Sequence, residues 1–196
     1  VRAQLGGFYA RTGAYERAEE ILRNAYEDAG ALGMDDVAAD VASELASVIG
    51  VFLERPAEGI QWVALARMHL RRVGKELGLN AAHLHHNEGL IYTHQASYQQ
   101  ARHSLEKAVQ LKAALLGDQH PNVAATMASL AIVVAAEGNH TQALLLNQKI
   151  VDNYSSILGD EHQIIVNALL GMAIANASMG KLSEALLLLE NARSRS

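Results

Sequence analysis

One fixed spacing recurs along almost the whole chain, and it constrains the fold more than any other feature. Four stretches share the order of a small residue, a turn, and a second small residue followed by an apolar run. They are LGGFYARTGAYERAEEILRNA (5–25), EGLIYTHQASYQQARHSLEKA (88–108), LAIVVAAEGNHTQALLLNQKI (130–150) and MAIANASMGKLSEALLLLENA (172–192). A marker residue after each turn, including one in a degenerate copy at 45–62, keeps a nearly constant step: Ala18, Gly59, Ala101, Ala143 and Ala185. This register indicates five copies of one structural repeat.

Each copy is predicted to fold as a pair of helices. In the fourth copy, Pro121 suits the first position of a helix over 121–136, and His120 or Asp118 is available to cap its free N–H groups. A second helix is expected over about 140–157, with turns and helix ends at Gly138, Gly180, Gly117 and Gly159. One pair cannot bury its own apolar face, so the copies must stack. With two prolines, 5% aromatic residues and no β-rich stretch, the sequence predicts an all-α, right-handed superhelix of five helix-turn-helix repeats.

The first copy resembles a tetratricopeptide repeat, in which a small residue, an aromatic, a glycine, a second aromatic and an alanine recur. Here those residues are Gly6, Tyr9, Gly13, Tyr15 and Ala18. The 42-residue period, together with LGDQHPNVA (116–124), resembles the longer kinesin-light-chain type of this repeat. The resemblance implies a tetratricopeptide solenoid, a single array over 1–196 with repeats at about 1–31, 32–77, 78–116, 117–158 and 159–196.

Three further stretches are similar to the C-terminal repeat regions of large bacterial Ser/Thr protein kinases. They are RPAEGIQWVALARMHLRRVG, HNEGLIYTHQASYQQA and LGDQHPNVAATMASLA. The chain itself has no Gly-rich phosphate loop, no His-Arg-Asp catalytic loop and no Asp-Phe-Gly motif. We therefore expect a fragment of a longer protein, not itself an enzyme and without a cofactor, in which any kinase domain precedes Val1.

Composition narrows the classes of partner. A formal net charge of -5 argues against nucleic acid, since phosphate binding needs clustered Lys and Arg. The longest apolar run, 130–136, is far shorter than the roughly 20 residues that span a bilayer. The absence of cysteine excludes disulfides and thiolate metal sites and fits a reducing compartment. A protein or peptide partner and a cytoplasmic location are therefore expected.

The stretch AAHLHHNEG (81–89) admits three interpretations: a metal site, an acid–base pair, or a polar patch on a structural helix. His83 and His86 lie three residues apart, whereas helical two-histidine metal sites such as H-E-x-x-H use a spacing of four. His85 and Glu88 have the spacing of a helical i,i+3 pair, yet no nucleophile is discernible near them. A polar groove patch with a half-buried His–Glu hydrogen bond is the favoured interpretation.

The repeat register divides this cluster between two environments. His85 aligns with Met127 and Leu169, and Glu88 aligns with Leu130, so both occupy packing positions. The other polar residues align with positions that face the concave groove in tetratricopeptide arrays. The predicted partner-binding residues are His83, His86, Asn87, Leu90 and His94, followed by Ser129, Ile132, Leu170 and Ile174. Ligand binding by this polar patch is an alternative that the sequence leaves open.

Resemblance to the kinesin-light-chain type implies that Asn87 bonds the backbone of a bound peptide. The equivalent positions in other copies hold Gln4, Ser129 and Gly171, which depart from that pattern. By the same register, core packing is expected for the aromatic side chains and helix-start roles for the loop histidines. These residues are Tyr9, Tyr15, Tyr92, Tyr98 and Trp62, and His120 and His162.

The last helix begins with four consecutive leucines that point around its whole circumference: Leu186, Leu187, Leu188 and Leu189. A further repeat, a partner or a second subunit is expected to cover part of this surface, giving an end-to-end contact or a homodimer. The leading functional prediction is a non-catalytic interaction module, or scaffold, of a bacterial signalling protein. A structural or dimerising spacer and a regulatory sensor of a small peptide or metabolite are the alternatives.

Overall fold

A computed structural model describes residues 1–195. Ser196, which closes the predicted fifth repeat, lies outside the described residues. The described chain consists of ten α-helices without a strand, which confirms the all-α prediction. The helices are α1 (Arg2–Arg11), α2 (Tyr15–Ala31), α3 (Asp35–Ser47), α4 (Pro56–Arg72), α5 (Leu79–His94), α6 (Tyr98–Leu116), α7 (Pro121–Ala136), α8 (His140–Leu158), α9 (Gln163–Ser178) and α10 (Leu182–Ser194).

Local sequence signals set the helix boundaries. Pro121 occupies the first turn of α7, and the ring Nδ1 of His120 accepts a hydrogen bond from the backbone N–H of Asn122 at 3.1 Å. His162 caps α9 in the same way, through the backbone N–H of Ile164 at 3.2 Å. These contacts confirm the helix-start role predicted for both histidines. Gly138 turns the chain at φ 84°, a conformation that glycine adopts without strain.

One element lies outside the regular pattern. The end of α3 widens into a π-helical turn, Val48–Phe52. It brings Gly50 directly against Gly59 of α4. The sequence marked this copy as degenerate but did not predict the π turn, which is a rare conformation inside helices.

The chain forms two compact units, Val1–Leu111 and a second unit that begins at Lys112. In the N-terminal unit the core contains side chains that are almost completely buried, including Leu22, Leu45, Ile49 and Leu84. Trp62 is buried in the same core, and Tyr9 and Tyr15 pack against it. Core packing of these three aromatic residues is thereby confirmed. Tyr92 and Tyr98 are half-buried.

The C-terminal unit has its own core. Ile150, Tyr154 and Ile165 are fully buried there, and the Tyr154 hydroxyl donates a hydrogen bond to the backbone carbonyl of Asp118. A cluster nearer the end of the chain contains Val166, Leu169, Met172 and Ala192. Throughout the described residues, no helix combines the length and apolar character needed to cross a membrane.

Candidate functional site

The first helices of three successive pairs, α1, α3 and α5, line an open cavity of about 600 Å³ in the N-terminal unit. Two of the predicted groove residues, His83 and Asn87, belong to its wall. The other three predicted residues of this unit lie on α5 outside the lining. His86 and Leu90 are half-buried, and His94 is exposed.

Asn87 is engaged within the protein. Its side-chain Nδ2 donates hydrogen bonds to the backbone carbonyl of Ser43 at 3.0 Å and to the Ser43 hydroxyl at 3.3 Å. These bonds join α5 to α3. The donor group that the family resemblance assigns to a bound peptide therefore has an internal acceptor here.

Two carboxylates that were not predicted from the sequence also line the cavity: Asp40 and Glu44, one turn apart on α3. Burial and the neighbouring charge of Asp36 raise the pKa of Asp40 above its usual value. Burial raises the pKa of Glu44 as well, and Arg11 only partly offsets this effect. Asp40 accepts a hydrogen bond from Nδ2 of Asn80, and the charge of Lys75 also lowers its pKa, but burial and Asp36 outweigh both. This wall of the cavity is therefore acidic.

A glycine of α1 lies next to the Glu44 carboxylate. A Cβ atom on Gly7 would lie 2.6 Å from Oε1 of Glu44, so a larger residue there would require the Glu44 carboxylate to shift. Asp40 and Glu44 also line a second cavity of about 250 Å³ next to α1. A signal for this feature exists in the sequence, because Asp36, Asp40 and Glu44 recur every fourth residue and so share one helix face.

An aromatic pair forms the apolar part of the larger cavity. The rings of Tyr15 and Phe52 stack with centroids 4.5 Å apart and planes inclined by 5°. Phe52 belongs to the π turn and is 47% exposed. The cavity thus offers a flat aromatic surface beside two carboxylates.

The other half of the histidine cluster lies in a different environment. Glu88 is buried and accepts hydrogen bonds from Arg67 Nη2 at 2.9 Å, Ser104 Oγ at 3.0 Å and His85 Nδ1 at 3.3 Å. Burial alone would raise the pKa of Glu88, but these three donors outweigh it and lower the pKa to about 2. The predicted His85–Glu88 hydrogen bond is confirmed, whereas Arg67 and Ser104 were not anticipated. Among the residues that the structure describes, no three His, Cys, Asp or Glu side chains form a set that could hold a metal ion.

The remaining predicted groove residues belong to the C-terminal unit. Ile132 on α7 and Ile174 on α9 are 65% and 61% exposed, and Leu170 is partly exposed. Ser129 is half-buried, and its hydroxyl donates to the backbone carbonyl of Ala125 at 3.3 Å. The first helices of this unit therefore present apolar side chains to solvent.

Three of the four terminal leucines are exposed: Leu186, Leu187 and Leu189. Leu188 is half-buried and packs against the cluster that contains Leu169 and Met172. This distribution follows from the helical periodicity, since consecutive positions differ by 100° and only one of them faces α9.

Comparison with known proteins shows which fold this architecture is similar to. Residues 80–156 match the family model described as Tetratricopeptide repeat. BtubC (BKLC) from P. vanneervenii is 16% identical with a TM-score of 0.85, over 97% of this chain and 76% of that one. A putative kinesin light chain from Podospora anserina, with nearly identical TPR-like repeats, is 21% identical with a TM-score of 0.82, over 99% of this chain and 92% of that one. The chain has the tetratricopeptide repeat fold.

A third solved structure, MamA, is 14% identical with a TM-score of 0.65, over 97% of this chain and 93% of that one. A search of curated proteins by sequence gives no match. The tetratricopeptide fold and its likeness to kinesin light chain repeats confirm the prediction from the repeat register. Tetratricopeptide repeats form protein–protein interaction scaffolds, and proteins of this kind are generally non-catalytic. The similarity to kinase repeat regions stays a prediction.

Proposed function

We propose that this tetratricopeptide array binds a peptide, helix or loop of a partner protein on its concave face. It would be the recruiting or regulatory part of a bacterial signalling protein such as a Ser/Thr kinase. The observation that supports this proposal is the open cavity of about 600 Å³, lined by the first helices of three successive pairs. Stacked repeats use the surface formed by such helices to bind extended or helical segments.

The chemistry of the cavity favours a partner segment of mixed character. Burial raises the pKa of the Glu44 carboxyl and Arg11 only partly offsets this rise, so a Lys or Arg of a partner would complement its charge. The stacked rings of Tyr15 and Phe52 offer contact to an apolar or guanidinium side chain. In the C-terminal unit, exposed Ile132 and Ile174 favour an apolar stretch.

Substitution of the cavity wall tests this proposal. Peptides selected from a displayed random library on the wild-type protein should bind the double variant His83→Ala, Glu44→Gln at least about tenfold more weakly, a loss of about 1.4 kcal/mol. The melting temperature should stay close to that of wild type, because His83 is exposed and glutamine keeps the shape of Glu44 while removing a charge that burial disfavours. Fluorescence anisotropy with labelled peptides measures the affinity.

A matched control carries the same chemical change away from the cavity. Glu27 is exposed on α2 and does not line the cavity, so Glu27→Gln should leave peptide affinity unchanged. Selected peptides that bind the double variant as tightly as the wild type would rule out this wall as the contact surface.

Exposed leucines on α10 favour a second candidate, end-to-end association with another copy or with a further repeat. Leu186 and Leu187 are 61% and 67% exposed. If they join two copies, the average mass measured by light scattering should rise with concentration, and Leu186→Gln with Leu187→Gln should restore the monomer mass. Leu77→Gln, which changes an exposed leucine of the N-terminal unit, serves as the control. A constant monomer mass for the wild type at high concentration would refute this association.

A further inference from the structure

A separate cavity of the N-terminal unit lies between α4, α5 and α6 and has a volume of about 660 Å³. It differs from the peptide-binding cavity in both its helices and its lining. Its inner wall holds the buried carboxylate of Glu88 with the three donors Arg67, His85 and Ser104. Volumes of this size accommodate small organic ligands.

The later repeats show that the polar layer formed by Arg67, His85, Glu88 and Ser104 is not required for stacking. Each of the four residues has an apolar counterpart one full repeat further along the chain, and again in the repeat after that. The first set of counterparts is Val109, Met127, Leu130 and Leu146, and the second is Val151, Leu169, Met172 and Leu188. The same chain therefore fills the equivalent positions with apolar side chains in two later repeats.

Burial of charged groups carries a cost that an apolar layer avoids. Replacing a buried ion pair by well-packed hydrophobic residues is often neutral or stabilising, so a buried Glu88–Arg67 pair is weak evidence for a stabilising role. Both groups belong to the wall of a cavity. A polar layer at this one place, next to open space, is better explained by what the cavity binds.

The cavity has more cationic than anionic groups available to a ligand. Glu88 is paired with Arg67, and Glu76 accepts from Arg71 Nε at 3.1 Å. Lys107 and His103 also line the cavity, and neither has a hydrogen bond or ion pair among the described residues. This local excess of positive groups occurs in a chain whose formal net charge is -5.

Apolar side chains form another part of the wall, beside Tyr92, Gln99 and Gln100. Leu70, Ala81 and Leu84 line the cavity and are buried in the core of the unit. The guanidinium of Arg67 contacts Glu88 through Nη2, and a guanidinium has five N–H donors, so others are available for a ligand. Cationic and apolar groups thus face the same space.

We propose that this cavity binds a carboxylate or phosphate group carried on a small apolar body. The anionic group lies near Lys107, His103 and Arg67, and the apolar body packs on the half-buried ring of Tyr92 and on the parts of Leu70 and Leu84 that reach the cavity. This site is independent of the peptide-binding cavity, so the protein has two binding surfaces within one unit. The anion is either part of a free small molecule or a side chain of a peptide, and the experiment distinguishes these two sources.

Calorimetric titration with phenyl phosphate and with benzoate tests the site. Both probes should bind saturably in the millimolar range, and benzyl alcohol, which matches the ring without the charge, should not. The double variant Lys107→Gln, His103→Gln should weaken binding at least about tenfold. Lys149 is the counterpart of Lys107 in the next repeat and is likewise exposed, so Lys149→Gln is the matched control and should bind like wild type.

A variant in which the polar layer is replaced by the apolar residues of the next repeat separates effects on ligand binding from effects on stability. The variant Arg67→Val, His85→Met, Glu88→Leu, Ser104→Leu should melt at or above the wild-type temperature and lose affinity for both probes. Probes that fail to saturate on the wild type, or that bind this variant unchanged, would overturn the proposal. A large drop in its melting temperature would do the same, because the polar layer would then be a requirement of packing.

The source of the anion follows from a second titration. A short peptide with a central phosphotyrosine or glutamate that binds at least as tightly as the free probe indicates a peptide side chain. A peptide that is excluded while phenyl phosphate binds indicates a free small molecule. His83→Ala with Glu44→Gln should leave phenyl phosphate binding intact, so failure of the groove proposal does not affect this one.

Discussion

Lys112→Leu should stabilise the protein by roughly 3 kcal/mol at neutral pH. The Lys112 side chain is buried, and its ammonium donates a hydrogen bond to Thr126 Oγ1 at 2.8 Å. No carboxylate of the described chain forms an ion pair with it, and burial lowers its pKa from 10.5 to about 8. Since one pKa unit corresponds to about 1.4 kcal/mol, this change represents roughly 3 kcal/mol of penalty for the charged form. Urea unfolding followed by circular dichroism measures the gain.

Leucine suits the position on two grounds. The equivalent residue one repeat earlier is Leu70, which is buried in the N-terminal unit. Thr126 is not left without a partner, because its hydroxyl still donates to the backbone carbonyl of Asn122 at 2.9 Å. The substitution therefore removes a buried charge without creating a buried unsatisfied donor.

The pH dependence of the gain has a definite sign. The pKa of Lys112 is lower in the folded protein than in the unfolded chain, so between pH 8 and 10.5 the unfolded chain binds more protons. Wild-type stability should therefore rise with pH through this window, whereas below pH 8 both states are protonated and the full penalty is present. The advantage of Lys112→Leu should be largest at neutral pH and should shrink above pH 8.

An exposed lysine of the same unit provides the comparison. Lys149→Leu on α8 should change stability by less than about 0.5 kcal/mol and without this pH dependence. Equal stability of wild type and Lys112→Leu at pH 7 would mean that the ammonium is solvated and the burial penalty absent.

Lys112 also shows how far the repeat register predicts structure. Its equivalents, Leu70 and Tyr154, are buried, so the register indicates a core position. The register cannot tell that the ammonium there reaches only a threonine hydroxyl, since this depends on the packing around one side chain. In contrast, helix bounds follow from local chemistry, and α7 begins and ends where Pro121 and the turn at Gly138 predicted.

The candidate sites were predictable to a smaller extent. The register separated His85 and Glu88 from His83. In the structure, His85 and His83 line different cavities. It did not identify Arg67, because a partner 21 residues away in sequence depends on how two helices pack. Asp40 and Glu44 were not predicted, because carboxylates on one side of a helix are also typical of an ordinary solvent-exposed face.

Gly59→Ala should destabilise the protein by about 3 kcal/mol, although alanine is the residue that the other four copies have at this marker position. A Cβ atom on Gly59 would lie 2.5 Å from the Cα of Gly50 and 3.1 Å from the backbone carbonyl of Ala46. Both contacts are with backbone, which cannot rotate away, so α4 must move from the π turn. Urea unfolding followed by the fluorescence of Trp62, the single tryptophan, measures the loss in this unit.

Gly30→Ala provides the matched control, because Gly30 lies within α2 and a Cβ atom there meets nothing within 4 Å. It should stabilise the protein by about 0.5 kcal/mol, since alanine loses less backbone entropy than glycine on entering a helix. Opposite signs for the two glycine substitutions would show that the π turn, and not the repeat pattern, selects the residue at position 59. If Gly59→Ala instead stabilised the protein like Gly30→Ala, the close approach of α4 to the π turn would be wrong. The cavity that Phe52 lines would then need a different description, because Phe52 belongs to that turn.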